Sequence, residues 1–146
     1  MFAIRIRLGG WFFLLACFFS LYRVFPLGKS AALSLMFVIS VLLHEAGHAA
    51  AAFYYRTPVM EVGLCLWGGY IAYRKPTDGL HQAVILSCGV LTNLILCLAF
   101  WFLPQIGPLV SVWNLLLFCS NLLPVPWFDG GKILRLCARP ALTQAC

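Results

Sequence analysis

A run of apolar residues from about Ser30 to Tyr55 is long enough to cross a lipid bilayer as a helix, and inside it stand His44, Glu45 and His48. No other feature of the chain narrows its fold as much. Ionisable groups within a membrane helix are costly, turn away from lipid and are usually functional. The remaining composition agrees with a membrane setting. Of the 146 residues 63% are apolar and 10% are charged, against about 25% charged in soluble domains. Mean hydropathy is +0.96. A disordered chain is excluded, and an ordinary water-soluble globule does not fit.

The expected architecture is an α-helical polytopic membrane protein with about four transmembrane helices and a small membrane-associated β-hairpin or sheet. The spans fall roughly at 11–27, 30–55, 83–103 and 109–124, within a single domain, 1–146. Arg5 and Arg7 precede the first span as they would a signal peptide, but no small-x-small cleavage site follows. Leu14-Leu15-Ala16-Cys17 resembles a lipoprotein processing site faintly, yet Phe18 and Phe19 continue the apolar run, which suits a membrane helix better. Phe2, Ile4, Ile6 and Leu8 alternate with Arg5 and Arg7, predicting a short interfacial strand. Residues 60–75 predict a hairpin, with apolar and aromatic residues on either side of a Gly68-Gly69 turn.

The net charge is +6, which in a soluble chain would suggest nucleic acid. Here the basic residues punctuate apolar blocks, so the partner is the bilayer and not nucleic acid. Of the ten Lys and Arg, all but Arg23 and Lys29 fall on one side when four spans are threaded. Both termini are therefore expected in the cytoplasm, if the membrane is a bacterial plasma membrane. The 7 cysteines are odd in number, lack C-x-x-C spacing and lie mostly in apolar runs, so they read as small buried hydrophobes.

The chemistry begins at His44-Glu45-Ala46-Gly47-His48. Positions i and i+4 of a helix share a face, so both imidazoles can hold one zinc ion with Glu45 beside them to take a water proton. A shuffled chain of this composition would contain the pattern about once in a thousand times. The blander explanation is a pair of hydrogen-bonded histidines in a helix bundle. Hydrolytic zinc sites use three protein ligands, and the third could be His81, Glu61, Asp78, Asp129 or a cysteine. Asp129 stands out because Pro124 and Pro126 break the preceding helix, while Gly130 and Gly131 permit close approach. His48 precedes the basic helix end at Arg56 by about 12 Å of helix, which sets the site below the cytoplasmic surface.

These residues resemble the site-2 protease family of intramembrane zinc metalloproteases. Its H-E-x-x-H signature is met by His44, Glu45 and His48. Its N-x-x-P-x-P-x-L-D-G signature resembles Asn121 to Gly130, with Phe128 in place of Leu. Its G-P-x-x-N element is similar to Gly89-Val90-Leu91-Thr92-Asn93, with Val in place of Pro. The chain looks like the compact, sporulation-protease-like branch without added domains. The resemblance implies that His44, His48 and Asp129 bind zinc, that Glu45 is the general base and that Asn93 holds the substrate or the oxyanion. It further implies a membrane-spanning or membrane-associated protein as substrate, received as an added strand on a re-entrant hairpin.

Other classes predict different residues. A metal transporter would carry ionisable groups through the remaining spans, which are nearly free of them. An inactive relative would lack Glu45 or Asp129. A prenyl-protein protease needs a later glutamate as third ligand, and no acidic residue follows Asp129.

Overall fold

The computed structural model describes residues 3–66, 68–74 and 78–138. Phe2, Trp67, Lys75 and the tail with Arg139 and Cys146 lie outside the described residues. Along the chain run β1 (Ala3–Ile6), α1 (Leu8–Tyr22), α2 (Leu27–Tyr54), β2 (Val59–Cys65), β3 (Gly68–Tyr73), α3 (Gly79–Trp101), α4 (Gly107–Leu122) and α5 (Asp129–Cys137).

Local chemistry sets these limits. Pro26 stands just before α2, where its missing N–H costs nothing. At the other end Arg56 adopts a positive φ of 52° and Thr57-Pro58 stops the helix. The Asp78 carboxylate accepts from Leu80 N at 2.9 Å and starts α3 earlier than the expected residue 83. Pro108 sits in the first turn of α4, and Pro124 prevents its continuation past Leu122.

Two helices, α2 with 28 residues and α3 with 23, are long and apolar enough to cross a membrane. The first and fourth expected spans are apolar but shorter, at 15 residues in α1 and 16 in α4. At 1.5 Å per residue these reach only about 22–24 Å, short of a hydrocarbon core of about 30 Å.

Beside an apolar core that includes Leu33, Ile85 and Val110, many large apolar side chains are exposed and several polar ones are buried. Leu35, Ile39, Leu91, Ile95, Leu98 and Leu116 are exposed, whereas Ser30, Ser40, Asn93, Ser111 and Asn114 are buried. Asn114 Nδ2 donates to Ser40 Oγ at 3.0 Å, and Ser111 Oγ donates to the Cys97 carbonyl at 2.7 Å. Polar groups thus tie α4 to α2 and α3 while apolar groups face outward, as expected where lipid is the solvent.

The strands form one sheet in the order β1-β2-β3. β1 pairs parallel to β2 and β3 pairs antiparallel to it. The predicted N-terminal strand is present, but the predicted hairpin turn is displaced. Cys65 pairs with Gly68, so both glycines belong to β3 and not to the turn. Gly68 takes the positive φ of 116° next to this reversal. A Cβ on Gly69 would overlap Glu45 and Val41, so this glycine serves close packing on α2.

Candidate metal centre

One face of α2 carries His44 and His48, whose side chains are buried in its C-terminal half. Helix α2 ends six residues after His48, at Tyr54, or about 9 Å along the axis. Asp129 is the first residue of α5 and is 3% exposed. Tight hydrogen bonds, Val125 N to Leu123 O at 2.7 Å and Phe128 N to Val125 O at 3.0 Å, fold the proline-broken segment back on itself. A Cβ on Gly131 would overlap the Val125 carbonyl, so the first turn of α5 sits directly on that loop. The Asp129 carboxylate is thereby turned inward.

Three ligand atoms converge. His44 Nε2 and His48 Nε2 are 3.1 Å apart, and Asp129 Oδ2 lies 3.2 Å from the first and 3.0 Å from the second. Zinc bonds of about 2.0–2.1 Å in a tetrahedron separate ligand atoms by roughly 3.3 Å, so the triangle has the dimensions of a metal site. The hydrogen-bond chemistry agrees. His48 Nδ1 lies 2.8 Å from the Ile85 carbonyl, which can only accept, so Nδ1 carries a proton. In the neutral ring Nε2 then presents a lone pair, and it faces a carboxylate oxygen. Two acceptors at 3.0 Å repel unless a proton or a metal cation lies between them. A backbone carbonyl orienting a histidine in this way is the usual outer partner of a metal ligand.

Glu45 is buried beside the triangle, and its Oε1 lies 2.7 Å from where a Gly69 Cβ would stand. Asn93 is fully buried, and neither of its amide atoms meets a hydrogen-bond partner among the described residues. Helices α2 and α3 pair in opposite order, with His48 against Ile85 and Gly89 and Gly47 against Cys88 and Thr92. That pairing carries Asn93, one turn beyond Gly89, to the level of His44. The other candidate third ligands are engaged elsewhere. Glu61 accepts from the Tyr70 hydroxyl and lies 3.7 Å from the Arg7 guanidinium. Asp78 caps α3, and His81 stacks on Tyr55 at 4.2 Å with Asp78 3.4 Å away. The cysteines among the described residues are free.

Three contributors escape the sequence reading. The Ile85 carbonyl acts through backbone and leaves no sequence signal. Gly89 makes room for the His48 ring, since any Cβ there would overlap it. Lys132 donates to Asp129 Oδ1 at 2.8 Å, and its i,i+3 spacing from Asp129 was the available clue.

No protein-family model matches the chain. Over 111 residues, 70% of this chain, it is 30% identical to Stage IV sporulation protein FB of Bacillus subtilis (strain 168). Its fold matches the Site-2 Protease from Methanocaldococcus jannaschii with a TM-score of 0.76 and 25% identity over 92% of the chain. The resemblance to the site-2 protease family holds in both sequence and fold. The chain spans 38% of the length of the sporulation protein and 66% of the solved site-2 protease chain.

Proposed function

We propose that this chain is an intramembrane zinc endopeptidase that cuts a transmembrane or membrane-tethered protein. The observation that carries the reading is the buried triangle of His44, His48 and Asp129 with Glu45 beside it. A zinc ion held there would supply a water with its pKa lowered to about 7 and a Lewis acid for the scissile carbonyl.

The protein's own groups do the rest. Glu45 takes the proton of the attacking water and returns it to the leaving amine. Asn93, buried with a free amide, donates to the carbonyl oxygen as negative charge grows on it. Ile85 keeps His48 in the tautomer whose Nε2 lone pair faces the site. The outer edge of β3 has no partner strand among the described residues, and it receives the substrate as an added strand. Pairing there unwinds the substrate helix and exposes one peptide bond. The distribution of basic residues favours both termini in the cytoplasm of a bacterial plasma membrane, with the short helices α1 and α4 as the first and fourth spans and the site opening toward that side.

Purified wild type, Glu45→Gln and Asp129→Ala test the assignment with two measurements, zinc per chain and cleavage of a single-span test substrate. Glu45→Gln is expected to keep its metal and lose 10²-fold or more of cleavage. Asp129→Ala is expected to lose metal on dialysis. Undiminished turnover in either variant overturns the reading.

A further inference from the structure

The geometry points to Lys132 as a positioning residue that holds Asp129 to a single ligating oxygen. The two carboxylate oxygens have separate partners. Oδ2 faces both imidazoles, at 3.2 Å and 3.0 Å, while Oδ1 is held by Lys132 Nζ at 2.8 Å. The carboxylate is buried, and the lysine side chain is 46% exposed, so the cation reaches in from the solvent side.

Helix stability does not account for this lysine. Asp129 is the first residue of α5 and is favoured there by the helix dipole. Lys132 stands only one turn in, where the same dipole opposes a cation. With its carboxylate buried, the pair also offsets part of the cost of taking that charge out of water. The charge makes sense if Oδ1 must be kept from turning. A tilt of the whole carboxylate would bring Oδ1 toward the two Nε2 atoms as a second donor beside Oδ2. That second oxygen would fill the position needed by the water or by the substrate carbonyl. With Oδ1 pinned, the protein supplies three donor atoms, the number that leaves a hydrolytic site open.

This inference rests on the metal reading above, and the test separates the two. Full-length metal-free protein in detergent is titrated with Co²⁺, and the visible absorption of the bound ion reports its coordination number. Wild type, Lys132→Met, Lys132→Gln and Lys132→Arg are compared. Wild type is expected to give the strong bands of a four-coordinate ion. Lys132→Met and Lys132→Gln are expected to give the weaker bands of a five-coordinate ion, with retention against a chelator no weaker than wild type, since a donor is gained and a neighbouring cation lost. Lys132→Arg, which keeps the charge, is expected to restore the wild-type spectrum. A wild-type spectrum in both neutral variants overturns the inference, whatever their melting temperatures. A wild type that takes up no Co²⁺ removes the metal reading first, and this one with it.

Discussion

Replacing Gly89 by alanine sets two known effects against each other at the metal site. In the middle of a helix this exchange ordinarily stabilises by about 1 kcal/mol. Here the new Cβ would overlap Nδ1, Cε1 and Nε2 of His48. To regain ordinary contact the ring must retreat by roughly 1 Å. It cannot retreat and also keep Nδ1 at 2.8 Å from the Ile85 carbonyl. Metal sites tolerate ligand displacements of about 0.2 Å, and loss of an outer partner alone costs about 10–100-fold in metal affinity. The expected result is about 100-fold weaker zinc binding, or about 2.7 kcal/mol, with metal-free protein that melts no lower than wild type. Competition with a chromophoric chelator measures the affinity, and thermal unfolding of the metal-free form measures the fold. Gly28→Ala is the control, because nothing lies within 4 Å of a Cβ at that position. Wild-type zinc affinity in Gly89→Ala would refute the role given to the His48 ring position.

Two further expectations concern the sheet. The Tyr70 hydroxyl, and after it the Arg7 guanidinium, hold the Glu61 carboxyl below its ordinary pKa, with Arg5 adding to the effect. A carboxyl depressed in this way stabilises the folded sheet fully above its unfolded value of about 4.3, and that contribution fades as pH falls through the folded value. Protection of the Arg7 amide, bonded to the Leu64 carbonyl at 2.9 Å, against hydrogen exchange should therefore fall only in acid once the intrinsic pH dependence of exchange is divided out, and Tyr70→Phe should flatten that fall. A protection factor that does not change with pH would contradict this. Strand addition predicts that proline at those positions of Gly69–Tyr73 whose N–H faces outward lowers cleavage without lowering zinc content. Normal cleavage at every such position would exclude β3 as the receiving edge.

The parts legible from sequence were those whose partners are local. His44 and His48 are one turn apart, so their shared face follows from helix geometry alone. Asp129 was marked by the prolines and glycines around it and by the family motif, and its carboxylate does reach both rings. The hairpin was legible but its turn was not. Gly68 and Gly69 read as a reversal because turns favour glycine, whereas Gly69 meets the needs of a neighbour far away in sequence, Glu45. Helix ends shifted for similar reasons. The polar His81 and Gln82 looked like loop until the Asp78 cap drew them into α3. The Ile85 carbonyl lay beyond reach because every residue has one.

The placement of Glu45 bears on how it works. Its Oε1 lies 2.7 Å from where a Gly69 Cβ would project. A Cβ projects from the face of a sheet, so Glu45 lies over the face of β3 and not along its edge. A substrate strand added at the edge would run about 4.8 Å to the side of β3. A general base needs about 2.6–3.2 Å to the proton it removes. Glu45 is therefore set to one side of the added strand, with room for the attacking water between them, and the proton it takes from that water passes on to the leaving amine. A base that serves water needs this offset, and a nucleophilic carboxylate would need the opposite. Gly69 makes room for Glu45 there, and a Gly69→Ala variant would push the carboxylate away from that water even with all three metal ligands intact.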